Sequence, residues 1–224
     1  MNIKGKEKNP QIDDSYILLG KARYYDCRFI PAQEAFNYIL FKYPSSTNIN
    51  LAKIWRAKTN LRLENEGSAI KNLKKLIDSN KLSNEENVVA SSALAQAYIT
   101  TKAIDSAIIQ IQRASRFTKD NRELGRLRFI EGQLYSSLGD KASANLAFDK
   151  VIALNRKTPR AYMINAYLEK IKNFDFENDD KLLLETLLES LELNRENRPF
   201  LDKIYHQIAN YQIKNNKDCM GKKS

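Results

Sequence analysis

Four alanines recur at nearly constant spacing along this chain, and that recurrence restricts the fold more than any other feature. They are Ala32, Ala69, Ala107 and Ala144, separated by 37, 38 and 37 residues. Each is followed four residues later by a bulky residue (Phe36, Leu73, Ile111, Phe148) and three residues after that by an aliphatic or small one (Ile39, Leu76, Ala114, Val151). Twelve residues before each alanine stands another small residue: Gly20, Ala57, Ala95 or Gly132. Spacings of three and four residues place side chains on one face of a helix. A small residue facing a bulky one is what two helices need in order to approach closely. A single hairpin built this way cannot bury its apolar face alone, so hairpins must stack.

This is the position pattern of a tetratricopeptide unit, with small residues at 8 and 20, a bulky one at 24 and a loop proline near 32, the place held by Pro44. The ideal unit is about 34 residues. The extra residues here are expected in the polar connections Ser45–Asn48, Asn80–Asn84 and Thr118–Asn121. The predicted architecture is all-α: a right-handed solenoid of helix hairpins with about eleven helices. Residues 1–12 read as a basic extension and 13–158 as four hairpins. Residues 159–196 read as a degenerate fifth hairpin with an acidic loop, 197–213 as an orphan helix, and 214–224 as a disordered tail. In the fifth hairpin Leu183 takes the small position, with Leu187 and Leu191 beyond it, so its two helices are predicted to splay. Asp13 and Asp14 are placed to cap the first helix.

Only 7 Gly and 5 Pro occur, which argues against a turn-rich β fold, while 42% hydrophobic residues suffice for a packed core. No apolar run reaches the roughly 18 residues of a membrane-spanning helix. The start, Met1 to Pro10, has no apolar core of a secretory signal. Cys27 and Cys219 read as two unpaired thiols.

Chemistry-bearing patterns are sparse. His206 is the single histidine and reads as structural or surface. There is no phosphate-binding glycine loop, nucleophile elbow or zinc-protease motif. The sequence therefore predicts no enzyme, no metal site and no cofactor. The acidic stretch from Asp175 to Asp180 reads as a solvated loop.

The net charge is +10, and the excess is densest between Leu51 and Lys75. There Lys53, Arg56, Lys58, Arg62, Lys71, Lys74 and Lys75 face only Glu64 and Glu66. In a tetratricopeptide stack the first helix of each hairpin lines the concave face, with positions 5, 9, 12 and 13 turned into it. That rule selects Ile17, Lys21, Tyr24 and Tyr25, then Ile54, Lys58, Leu61 and Arg62, then Ser92, Gln96, Ile99 and Thr100, then Phe129, Gln133, Ser136 and Ser137. The groove so drawn begins basic and aromatic and becomes neutral. Lys21, Lys58 and Arg62 are candidates to clamp an acidic peptide or carboxylate.

Longer phrases carry a more specific resemblance. Lys4-Gly5-Lys6-Glu7-Lys8-Asn9-Pro10, Leu18-Leu19-Gly20-Lys21-Ala22-Arg23-Tyr24, Ala52-Lys53-Ile54-Trp55-Arg56 and Met163-Ile164-Asn165-Ala166-Tyr167 together resemble the repeat region of the SprE/PorW-type lipoproteins of Bacteroidota. The resemblance covers roughly residues 1 to 213. It implies a non-enzymatic protein-binding scaffold in type IX secretion and gliding motility, on the periplasmic side of the outer membrane. The implied partners are components of that secretion machinery, with no specific nucleic acid and no small-molecule substrate. Members carry a lipoprotein signal and continue further, so this chain reads as a fragment that would stay cytoplasmic as written. The alternative reading is a cytoplasmic tetratricopeptide adaptor or a basic, nucleic-acid-associated helical repeat protein.

Overall fold

Eleven α-helices and two short 3-10 turns account for the regular structure among the described residues of the computed structural model, 11–175 and 180–221. No strand occurs among them. The chain divides into two compact units, Met1–Thr118 and Lys119–Ser224.

The first unit holds three helix hairpins. These are α1 (Ile12–Tyr25) with α2 (Phe29–Lys42), α3 (Ile49–Arg62) with α4 (Glu66–Asp78), and α5 (Asn84–Thr100) with α6 (Ile104–Phe117). Within this unit α2 packs on α3 and α4 on α5, and α1, α3 and α5 also touch one another in sequence. The anchor alanines Ala32, Ala69 and Ala107 are fully buried where their hairpins close. Phe36, Leu73 and Ile111 are buried, as are Gly20, Ala57 and Ala95 at the small positions, and Phe36 lies directly against Gly20. Pro44 lies exposed just past the end of α2, where it blocks helix continuation.

Pairing of volumes explains the small residues. A Cβ added at Gly20 would stand 2.4 Å from Cε1 of Phe36, inside any van der Waals contact. Where alanine occupies that place, as at Ala57 and Ala95, the bulky position holds the smaller Leu73 or Ile111. Combined volume, rather than either residue alone, is what the hairpin holds constant.

The second unit begins with the hairpin of α7 (Asn121–Ser137) and α8 (Lys141–Ala153), where Gly132 faces Phe148 in the same way and Ala144 is fully buried. Then follow α9 (Arg160–Lys172), α10 (Lys181–Leu193) and α11 (Leu201–Gly221). Ala144, Phe148 and Val151 of α8 pack on Ala166 of α9.

The last three helices depart from the hairpin rule. The backbones of α9 and α10 stay apart, and their side chains meet in a core completed by α11, which both helices approach. Their shared core joins Ile164, Leu168 and Ile171 to Leu184, Leu188, Leu191, Ile204 and Tyr211. Leu183 is 70% exposed and Leu184 only 5%, so the buried face of α10 begins at Leu184 and not at the predicted Leu183, while Leu191 is buried. Residues 184, 188 and 191 follow the helical spacing of a single buried face; Leu187 is half-buried at its edge. α11 also runs to Gly221, beyond the predicted end at Ile213 and into the predicted disordered tail. No glycine or proline interrupts it before Gly221, and Lys181 donates to Asn215 one half-turn past Ile213. Tyr211 donates to Glu185 at 2.9 Å. Burial, and then this hydrogen bond, push its phenol up to about 12.

Connections also differ in part from expectation. The added residues of the third and fourth repeats lengthen α5 and α7 to 17 residues each, against 14 in α1 and α3, instead of lying only in loops. Ser83 and Glu86 form a reciprocal capping box at the start of α5. Asp120, Asp140 and Asp180 cap α7, α8 and α10. Asp180 thus has a definite role within the acidic stretch, while residues 176–179 of that stretch lie outside the described residues. Asp13 and Asp14 lie within the first turn of α1 and not at its cap position, which is Gln11 and makes no side-chain capping bond; Asp13 accepts from the Asp14 N–H there. Asp13 accepts from Ser46 and Asp14 from Asn48, latching the α2–α3 loop to the start of the chain's first helix. The Ser46 hydroxyl holds the Asp13 carboxyl below its ordinary range.

The turn inside each of the first four hairpins repeats one backbone device. Its middle residue is Cys27, Glu64, Lys102 or Gly139, with φ of 58°, 56°, 60° and 78°. The residue after it donates back to the helix five positions earlier: Arg28 to Arg23, Asn65 to Asn60, Ala103 to Tyr98 and Asp140 to Tyr135. That is the αL helix ending that glycine accommodates without strain. Only Gly139 is glycine. Replacing Lys102 by Gly is therefore expected to raise stability by roughly 0.5–1 kcal/mol, read as a higher denaturant midpoint. An unchanged or lower midpoint would mean that Lys102 carries no backbone strain.

Candidate functional site

The basic-aromatic residues drawn from the sequence meet on neighbouring helices of the first unit. Lys21, Tyr24 and Tyr25 stand on the last turns of α1, and Lys58 and Arg62 on the last turns of α3, which packs beside it. The residue that organises them is Trp55, one turn before Lys58 on α3. Tyr24 and Tyr25 both meet its ring edge-on, at centroid distances of 5.4 and 5.8 Å. Tyr24 also packs edge-on against Tyr25 and Phe29. Edge-to-face geometry suits the quadrupoles of the rings and makes a rigid cluster.

Cations cover this cluster. The Lys58 ammonium lies 3.8 Å from the centre of the Trp55 ring and 5.6 Å from that of Tyr24. Lys21 reaches the same indole at 5.3 Å. The Arg62 guanidinium lies 5.0 Å from the ring centre of Phe29, at the start of α2. Each such contact contributes about 0.5–2 kcal/mol depending on desolvation. Trp55 is 6% exposed and Tyr25 72% exposed, so the indole is a floor and the Tyr25 ring stands open. Burial raises the Tyr24 phenol above its ordinary range, against the opposing pull of Arg62.

Trp55 and Phe29 were not among the groove residues read from the sequence. Trp55 was findable: it is the single tryptophan and lies three residues before Lys58, hence on the same helix face. Phe29 reaches the site from the next helix, which position rules for the first helix alone do not show.

Other predicted groove positions have different employment. Ile17 and Ile54 are buried in the hairpin cores. Leu61 is half-buried and packs on the cluster formed by α3, α4 and α5. Gln96 is exposed on α5. In the second unit Gln133 is exposed on α7, but the Phe129 ring packs against Phe148 and Tyr162, at 5.8 and 6.0 Å, and belongs to the core there.

The basic run between Leu51 and Lys75 is split by the fold. Lys58 and Arg62 join the aromatic cluster, whereas Lys71, Lys74 and Lys75 are exposed on α4. Burial lowers the pKa of Arg56, which donates to Asn37.

Among the described residues no cluster of His, Cys, Asp and Glu could hold a metal ion. His206 is exposed on the rim of a cleft of about 360 Å³ between α9 and α11. A second cleft, about 280 Å³, opens where α9 and α10 fail to close, lined by Ile171, Phe174, Leu183 and Leu187. Cys27 is an exposed free thiol; the Cys219 side chain lies outside the described residues. No described helix is long and apolar enough to cross a membrane.

No protein-family model matches the sequence, and no curated protein does. Solved structures do match. MamA is similar at 19% identity and a TM-score of 0.56, covering 93% of this chain and 96% of that one. A tetratricopeptide repeat protein from Parabacteroides merdae is similar at 16% identity and 0.55, covering 92% and 78%. Tetratricopeptide-like repeats of a kinesin light chain from Podosopora anserina are similar at 13% identity and 0.63, covering 92% and 99%. With the hairpins, buried anchor alanines and repeated αL turns described above, these likenesses establish the fold: the chain is an all-α array of tetratricopeptide-type helix hairpins.

Proposed function

We propose that this chain is a non-enzymatic protein-interaction scaffold and a segment of a type IX secretion and gliding-motility component of the cell envelope. The observation that carries the scaffold reading is the cation-covered aromatic cluster of α1 and α3. It gathers Lys21, Lys58 and Arg62 with Tyr24, Tyr25 and Trp55 on helices whose other faces already serve the hairpin cores. Aromatic and arginine side chains concentrate where protein surfaces bind partners. The hairpin array supports the same reading, because stacked repeats hold such a surface rigid without a catalytic centre. The secretion context is supported by the sequence phrases shared with SprE/PorW-type proteins. Its partners are components of that machinery, met on the periplasmic side of the outer membrane.

The test is affinity capture by the immobilised chain from an envelope extract of a gliding member of the Bacteroidota, with mass spectrometry of what is retained. Secretion-machinery proteins should be enriched over a control hairpin protein. Recovery of none of them would remove the secretion assignment.

A further inference from the structure

We infer that the face built by α1 and α3 takes an acidic peptide segment carrying an aromatic side chain. Its carboxylates would pair with Lys21, Lys58 and Arg62, and its ring would lie on Tyr25. This inference rests on the scaffold reading and specifies the partner's chemistry.

Three observations lead to it. First, the ammonium groups of Lys21 and Lys58 lie over one indole ring, so they stand no more than about 9 Å apart, within roughly one Debye length at physiological salt. Two like charges held so close raise the local potential that an anion would meet. Second, neither Lys21 nor Arg62 forms an ion pair among the described residues. Some cations elsewhere are taken up in this way, among them Arg126 with Glu123, Arg160 with Glu196 and Lys170 with Asp149. The aromatic rings satisfy part of the need of Lys21 and Arg62, yet leave their N–H groups able to donate to carboxylate oxygens. Charge-assisted bonds of that kind are roughly twice as strong as neutral ones. Third, the cluster offers one open ring. Tyr25 is 72% exposed and braced edge-on by both Tyr24 and Trp55. A braced ring receives an aromatic side chain at little cost in lost rotamer freedom.

The same observations favour a peptide over a single-stranded nucleic acid. Binding of such strands relies on successive bases stacking on open rings. Here the indole is nearly buried and two ammonium groups lie over it, so a run of bases would find one platform only.

Trp55 is the single tryptophan and therefore a built-in reporter. A carboxylate that draws Lys21 or Lys58 off the indole would change its emission. The experiment titrates the full chain with a synthetic tryptophan-free peptide in which Glu residues flank Phe. A second peptide with Gln for each Glu, and an oligothymidylate, serve as comparisons. The Glu peptide should shift Trp55 emission and bind at least about tenfold more tightly than the Gln peptide, as expected for one or more charge-assisted bonds, with affinity falling as salt rises. Combining Lys21→Ala with Arg62→Ala should weaken it about tenfold or more. Lys71→Ala with Lys74→Ala, on the exposed side of α4, should leave it unchanged. Circular dichroism of each variant checks that the helices are retained.

Absence of binding by the Glu peptide, equal affinity for the Gln peptide, equal loss in the α4 variant, or tighter binding of oligothymidylate would each overturn the inference. Its failure separates from that of the scaffold reading. Envelope partners still captured by the Lys21→Ala, Arg62→Ala chain would refute this site and leave the scaffold. Tight binding of the Glu peptide with no secretion component captured would do the reverse for the secretion assignment.

Discussion

Replacing Gly132 by Ala is expected to destabilise the protein by about 2–3 kcal/mol, the cost of forcing extra volume into a closed core. The direction is diagnostic, because alanine in a helix interior ordinarily stabilises by nearly 1 kcal/mol relative to glycine. Here the new Cβ would lie 2.3 Å from Cε1 of Phe148, which is fully buried and has no room to swing away. The ring must shift or α7 must move off α8. The chain's own repeats suggest the rescue. Alanine stands at this place in the second and third hairpins, where the bulky position holds Leu73 and Ile111. Adding Phe148→Leu to Gly132→Ala should therefore recover a good part of the loss, a non-additivity that only residues in contact can show. Gly20→Ala against Phe36 should behave alike in the first unit. Denaturant midpoints of the four combinations decide the matter. A Gly132→Ala chain as stable as the parent would refute the close approach.

The second large effect distinguishes two adjacent leucines in α10. Leu184→Ala is expected to cost about 3 kcal/mol, as truncation of a buried leucine leaves a cavity that its neighbours fill only partly. Leu184 is 5% exposed and packs in the shared core of α9, α10 and α11. Leu183→Ala should change stability by no more than about 0.5 kcal/mol, in the range of ordinary surface substitutions. Its side chain is 70% exposed, on the edge of the cleft left by the missing closure. Equal losses from both variants would show that α10 sits in the other register, with Leu183 facing its neighbour.

These two contrasts mark where the sequence was legible. Positions 8, 20 and 24 of a hairpin lie within about 17 residues of one another, and a mismatch of volume among them opens or jams a single local contact. Such constraints leave a repeating trace, which is why Gly20, Ala32 and Phe36 could be placed by spacing. The register of α10 left no such trace. Leu182, Leu183 and Leu184 are chemically identical candidates, and the choice among them depends on α11, which contributes Ile204 and Tyr211 from more than 15 residues further on. Asp13 and Asp14 stand in the first turn of α1, where the sequence puts acidic residues, but their loop partners left no trace for a related reason. A carboxylate in a first turn suits the helix terminus whatever else it touches, so nothing local revealed the bonds to Ser46 and Asn48.

The candidate site divides along the same line. Lys21, Tyr24, Tyr25, Lys58 and Arg62 follow from the tetratricopeptide position rule once the hairpins are placed. Phe129 and Leu61 fit that rule yet pack into cores, because what a helix phase leaves uncovered depends on the neighbouring helix.

The sequence by itself determined the repeating unit, the number of helices and the helix face on which the cations stand, since periodicity encodes all three. Only the tertiary structure decided that Trp55 floors the cluster, that Phe29 joins it from α2, and that α9 and α10 are held through α11. Those outcomes depend on side chains from separate helices competing for the same space, and no pattern along one helix records the result.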